Sequence, residues 1–220
     1  MFEFDENTQD QFAKIKVVSV GNGGMHVVNH MIDSGLTGAE FIAFSTDKYG
    51  LKMSKADKKI QLGNLVYGLD SGNNPSRSEQ AAIESREEIL STLHGADAVI
   101  IVAGLGGFDG TGASPIIAQY AKELNALTVA VVSLPYKFEG IKRNARAEAA
   151  LKKLSTQADT VIKIRCDKIL QVVDKKIPMT QVFKCVDEIM YRAVRSLIDI
   201  FRGALQIDMT KNFLKTTPNA

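Results

Sequence analysis

The sequence predicts an α/β fold, a parallel β-sheet with helices packed on both of its faces. Three observations predict it. Short β-branched runs alternate along the chain with segments of helical periodicity. The runs at 97–103 and 127–133 are almost wholly apolar, as strands covered on both faces must be. Glycine-rich stretches at 21–24 and 104–112 directly follow two of the predicted strands. Ligands of such sheets bind outside the carboxyl ends of the strands.

Taken in order, residues 1–13 read as a flexible arm. The run IKVVSV at 15–20 ends at glycine and reads as a buried strand, followed by a helix over 25–34. FIAFS at 41–45 is a second strand. Residues 47–75 mix short apolar runs with Gly and Asn and read as irregular. SRSE at 76–79 has the form of a capping box. The helix it opens carries Ala82, Ile83, Ile89, Leu90 and Leu93 on one side and ends at His94-Gly95. The strand at 97–103 leads into the second glycine stretch, after which Ser114 and Pro115 start a helix. The strand at 127–133 is closed by Pro135, a helix occupies 140–156, and TVIKI at 160–164 is a strand. Pro178 precedes a long helix at 179–203. Val182, Phe183, Val186, Ile189, Met190, Val194, Leu197, Ile198 and Phe201 give it a wide apolar face. The expected organisation is an arm at 1–13, an α/β domain at 14–178, the long helix at 179–203 and a tail at 204–220.

Composition narrows the function classes. The chain has 220 residues, 45% of them hydrophobic, enough for one substantial core. With 24% charged residues and a net charge of +2, neither disorder nor a supercharged surface is expected. Lys and Arg are scattered, which argues against nucleic acid as a partner. Two cysteines, Cys166 and Cys185, form no disulfide framework and no CxxC pattern. The first residues are acidic and lack an apolar signal core, and no run approaches the ~20 apolar residues of a membrane span. These features predict a cytoplasmic protein with no direct membrane insertion.

The glycine stretches carry the chemistry. Gly21, Gly23 and Gly24 let backbone amides approach a phosphate, and a helix start adds partial positive charge. This loop alone also fits a dinucleotide fingerprint, with Asp47 after the next strand, but His26 stands where the third glycine belongs. Five glycines within 104–112 make sense where main chain wraps an anion. His26 and His30 are four residues apart on one helix face, but no third metal ligand is evident, so no metal site is expected. Phe183 and Asp187 are also four apart and share a helix face. An aromatic ring can stack on a purine, and a carboxylate can accept both N–H donors on guanine's edge. A core phenylalanine beside a solvated aspartate would show the same spacing.

The stretch GLGGFDGTG at 104–112, followed by Ala113 and Pro115, resembles the phosphate loop of the FtsZ/tubulin family of polymerising GTPases. The likeness runs collinearly from about residue 14 to 205. It includes Asn29-x-Met31, Thr46-Asp47, Gly72-x-Asn-Pro75, ESREEI at 84–89, Phe138-Glu-Gly140 and VVDKK at 172–176. It implies the family's GTPase domain, a Rossmann-like parallel sheet flanked by helices with a long central helix at its end. It implies GTP or GDP as ligand, with or without Mg²⁺. It places phosphate contacts on Gly21, Gly23 and Gly24, and on Gly106, Gly107, Gly110, Thr111 and Gly112, with Asn22, Phe108 and Asp109 as further GTP-binding positions in the same loops. Gly72 and Asn73 belong to the loop that closes over the terminal phosphate. Glu139 and Arg143 match the ribose-side pair, Cys166 a nucleotide-contacting position, and Phe183 and Asp187 the base-binding pair.

Met25, His26, Phe108, Asp109 and Cys166 depart from the family's usual residues. The resemblance further implies that hydrolysis requires a carboxylate loop presented by a neighbouring subunit. The corresponding segment here is QIDMTK at 206–211, in which Asp208 is the candidate catalytic residue and Lys211 reverses a charge. The expectation is therefore an FtsZ-like guanine-nucleotide-binding protein, related to cytoskeleton and cell division. Its hydrolysis is weak or absent and depends on subunit association. Self-association as dimer or filament is implied, as is pairing with a full-length relative. A nucleotide-free structural or regulatory assembly partner is the competing reading, and a nicotinamide-dependent oxidoreductase is the third.

Overall fold

A computed structural model describes residues 13–63, 74–174 and 176–203. Gly72, Asn73, Asp208, most of the expected arm and the expected tail lie outside the described residues. The fold class is the one the sequence predicts. Among the described residues, six parallel strands form one sheet in the order β3-β2-β1-β4-β5-β6. They are β1 Ile15–Val20, β2 Glu40–Ser45, β3 Lys58–Gln61, β4 Ala98–Gly104, β5 Leu127–Leu134 and β6 Thr160–Arg165. Among the described residues, eight α-helices connect and cover them: α1 Gly21–Asp33, α2 Lys48–Met53, α3 Pro75–Glu84, α4 Arg86–Leu93, α5 Asp109–Glu123, α6 Ile141–Gln157, α7 Cys166–Val172 and α8 Met179–Phe201.

Period-two alternation along the strands sends side chains to two cores. Val18, Val20, Val99, Ile101, Ala130 and Val132 face the layer of α3, α4, α5 and α6. Val17, Ile100, Val102 and Val131 face the layer of α1 and α8. The long helix α8 buries Val182, Val186, Met190, Val194 and Ile198, one residue per turn, against α1 and the sheet. The buried stripe is narrower than the periodicity predicts. Phe183 is 49% exposed and Ile189 41% exposed, because only the side of α8 turned to the sheet meets apolar neighbours.

Several local expectations are corrected. Helix α1 begins at Gly21, four residues before the expected start, so the first glycine stretch is the opening turn of a helix. Likewise α5 begins at Asp109, with Pro115 inside it. Ser114 does not cap; its Oγ donates to the carbonyl of Gly110. The glycines that suggested a loop are required by packing instead. A Cβ at Gly24 would strike the carbonyl oxygen of Val102, one at Gly110 that of Gly104, and one at Gly112 that of Pro75. Residues 47–63 are not irregular but contain α2 and β3. Helix α2 is nucleated by Asp47, whose side chain accepts from the amide of Tyr49. The cap of α3 is Asn74, which accepts from the amide of Ser76, with Pro75 at the first helical position. The segment predicted as one helix breaks at Ser85, whose Oγ accepts from the amide of Gly63. Helix α7 is an addition to the expected elements.

Candidate functional site

β1 and β4 are neighbours at the centre of the sheet, yet the helices that follow them leave to opposite faces. α1 joins α8 on one side; α5 joins α3 and α6 on the other. The strand order reverses here, which opens a crevice at the carboxyl ends. The resulting cleft has a volume of about 760 Å³. Both α1 and α5 point their N-termini into it. The first amides of a helix lack intrahelical acceptors, so the cleft floor is rich in N–H groups and partial positive charge. Gly21 adopts a left-handed φ of +69°, and a Cβ there would lie 2.8 Å from the Cβ of Asp109. Glycine at this position therefore lets the two helix starts meet.

Of the residues singled out in sequence, Gly21, Asn22, Gly23, Gly107, Phe108, Asp109, Gly110, Glu139, Arg143, Cys166, Phe183 and Asp187 line this one cleft. Gly24, Gly106, Thr111 and Gly112 do not. The Thr111 hydroxyl accepts from the Gly106 amide at 2.8 Å and so ties the turn before α5. Gly24 and Gly112 serve the close contacts already described.

One end of the cleft is aromatic and acidic. Tyr136 stacks on Phe138 with ring centroids 5.0 Å apart and meets Phe183 edge-on at 5.8 Å. Asp187 lies one turn beyond Phe183 on α8, and His26 of α1 faces it with Nδ1 3.5 Å from Oδ2. Burial raises the Asp187 carboxyl above its ordinary range, although His26 and His30 favour its charge. Burial, with Glu139 and Asp167 nearby, pushes the Cys166 thiol up to about 11. Among the described residues, the hydroxyl of Tyr136 is buried with no hydrogen-bond partner. Burial, then Cys166 and Glu139, pushes it up to about 12.

The side wall is ordered by carboxylates. Glu139 accepts from the Tyr136 amide at 2.8 Å through Oε1 and pairs with Arg143 Nε at 2.8 Å through Oε2. Asp167 accepts from the Lys137 amide at 3.0 Å, holding the 3-10 turn Lys137–Glu139 in place. Asn22 donates to Asp47 at 3.1 Å. Burial opposes ionisation of Asp47, but the amides of Gly50 and Tyr49 and the Asn22 side chain together hold its carboxyl below the usual value.

Asp109 does not point free into the cleft. It is 6% exposed, and its carboxylate accepts from Ser45 Oγ, Thr46 N, Thr46 Oγ1 and Ser78 Oγ. Ser45 and Ser78, which hold Asp109, and Tyr136, which lines the cleft, are additions to the expected residues. Ser45 and Thr46 carried a usable signal, being hydroxyl residues at the carboxyl end of β2, beside the switch point. His26 and His30 pair separately with Asp187 and Glu188. No cluster of three or more metal-ligating side chains occurs among the described residues.

The fold and cleft define a class, the doubly wound α/β domains that hold a ligand where the strand order reverses. The family model for the Tubulin/FtsZ family, GTPase domain, matches residues 14–174, and the chain belongs to that family. Among solved structures, an empty FtsZ dimer from M. jannaschii is similar at a TM-score of 0.83 and 39% identity. The match covers 88% of this chain and 57% of that one. CetZ2 from Haloferax volcanii, a GTPγS-bound protofilament, has a TM-score of 0.74 at 22% identity, covering 86% and 59%. CetZ1 from the same organism, a GDP-bound monomer, has a TM-score of 0.71 at 20% identity, covering 81% and 58%. This chain thus spans under three fifths of the length of each. The two CetZ likenesses speak to the fold alone. No helix among the described residues is long and apolar enough to cross a membrane.

Proposed function

We propose that this chain binds a guanine nucleotide, GTP or GDP, in the cleft at the switch point. The observation that carries this reading is the convergence of two helix N-termini with the Phe183 and Asp187 pair in one cavity. Phosphates lie against the amides of Gly21 to Gly23 and Gly107 to Gly110, where helix dipoles favour anions. Arg143, oriented by Glu139, takes the ribose side. Phe183, half exposed, stacks on the base, and Asp187 accepts from the two N–H donors of guanine. Adenine lacks that donor pair, which supplies the base preference. Desolvation makes the Asp187 charge costly, and donors on a ligand would relieve it. Mg²⁺, when present, is held mainly by phosphate oxygens and water, in keeping with its reluctance to dehydrate.

Hydrolysis is weak or absent and depends on subunit association, with Asp208 as the residue that orients water for a neighbour's nucleotide. The protein acts in the cytoplasm in a cytoskeletal or division-related assembly, self-associating or joining a full-length relative. The dimer of the similar FtsZ structure supports the self-association in this reading. Titration calorimetry with GTP, GDP and ATP tests it. Guanine nucleotides bind and ATP does not; no measurable guanine-nucleotide binding removes the reading. Asp187→Ala weakens binding by about 2–3 kcal/mol, the worth of hydrogen bonds to a charged group. Asp208→Ala abolishes turnover while leaving binding intact.

A second reading, a nucleotide-free assembly module, is favoured by one observation. Asp109 brings a negative charge to the start of α5, where a phosphate would be bound. It predicts a melting temperature unmoved by saturating GTP or GDP.

A further inference from the structure

Four donors converge on one carboxylate beside the cleft; Thr46 lines the cleft, and Ser45 and Ser78 are fully buried behind it. The Ser45 hydroxyl and the Thr46 amide donate to Asp109 Oδ2 at 2.6 and 2.9 Å. The Thr46 and Ser78 hydroxyls donate to Oδ1, each at 2.8 Å. Ser45 Oγ also accepts from the Asp47 amide at 3.1 Å, so its one proton is committed to Asp109. The donors come from the carboxyl end of β2, the residue after it, and the first turns of α3; the acceptor opens α5. Hydroxyls and a main-chain amide meeting beside a helix N-terminus form the donor set with which proteins hold a phosphoryl group. In this chain the anion at their centre is a side chain.

We propose that Asp109 takes the place of a terminal phosphate, so that the cleft selects a nucleoside diphosphate over a triphosphate. The proposal rests on the nucleotide reading of the cleft. Two effects act in the same direction. Thr46, the donor residue of this set that lines the cleft, is already engaged by Asp109 through its amide and its hydroxyl and is not free to neutralise a third phosphate. The added phosphate would also bring its charge close to a fixed carboxylate in a partly dry site, where repulsion is weakly screened. Gly21 abuts the Asp109 Cβ, so the carboxylate cannot retreat toward α1 without moving a helix start. Release of Asp109 from its donors would break three elements apart together, which makes rearrangement around a larger ligand costly. The rival role, a carboxylate recruiting Mg²⁺ to a triphosphate, predicts the opposite preference.

Calorimetric titration of the full chain, stripped of nucleotide, with GDP and with slowly hydrolysed GTPγS distinguishes these. GDP is expected to bind about tenfold or more tightly than GTPγS, with Mg²⁺ and with EDTA alike. In Asp109→Asn, which keeps the shape and removes the charge, the ratio is expected to fall to about threefold or less, mainly through tighter GTPγS binding. GTPγS binding equal to or tighter than GDP in the wild type overturns the proposal. So does an Asp109→Asn protein with a cooperative melt that keeps the wild-type ratio. The wild-type ratio decides alone if the variant does not fold, and Asp109→Thr is then the second variant. Binding of neither nucleotide removes the nucleotide reading, and this inference with it; binding of both with the wrong ratio removes only this inference.

Discussion

At the scale of single residues, the cleft stores two unfavourable terms. The first is the Asp187 charge. Burial raises its pKa in the folded protein above the value of 3.8 it has when exposed. The folded state then holds the proton more tightly than the unfolded state. Stability from this group is therefore fully present below 3.8 and is lost as pH rises through the raised folded value. Asp187→Asn is expected to melt at a higher temperature than the wild type near neutral pH. The difference should shrink as pH falls toward the unfolded carboxyl value, read by melting curves at a series of pH values. The second term is the Tyr136 hydroxyl, buried with no hydrogen-bond partner among the described residues. Tyr136→Phe removes an unmet polar group and is expected to stabilise the empty protein by roughly 1 kcal/mol, measured by urea unfolding. An unchanged midpoint would mean that the hydroxyl finds a partner in solution. Phe183 and Asp187 were legible in sequence because helical spacing alone puts them on one face. Tyr136 was not, because its surroundings come from β5, α7 and α8 together.

At the scale of elements, the strands were readable and the helix starts were not. An apolar run such as that of β4 has a single solution in this sheet, burial on both faces, and sequence reports it directly. A glycine reports only permission. It reads as loop, yet Gly24 and Gly110 sit in helices because carbonyl oxygens of β4 pass where a Cβ would lie. Gly24→Ala is accordingly expected to destabilise by about 1–3 kcal/mol, the cost of overpacking, although alanine is the better helix former. Urea unfolding midpoints measure it, and a neutral substitution would show that α1 can shift away from β4. On α8, Met190→Ala is expected to cost about 2–5 kcal/mol, because Met190 is fully buried at the middle of the stripe that anchors the helix. The edge strand β3 carries Lys58 and Lys59, exposed charges that discourage pairing with another sheet.

At the scale of the molecule, the cleft couples ligand to stability because its walls belong to both layers of the sandwich. A ligand that bridges α1, α5 and α8 stabilises the assembled state only. GDP at about 100 times its dissociation constant is expected to add about 2.7 kcal/mol, which is about 5–10 °C in melting temperature for a chain of this size. A thermal melt with and without GDP reads this, and ATP at the same concentration should leave the curve in place. By itself the sequence determined the α/β class, most of the strands, the long helix and the family, because burial on two faces and helical periodicity are properties of order along the chain. Only the tertiary structure decided what the second glycine stretch does with Asp109. In sequence that residue is a carboxylate set among glycines, equally suited to repel phosphate or to hold a cation. Folding brings Ser45, Thr46 and Ser78 from two other elements onto its two oxygens, and hydrogen bonds between distant segments leave no periodic trace in the sequence.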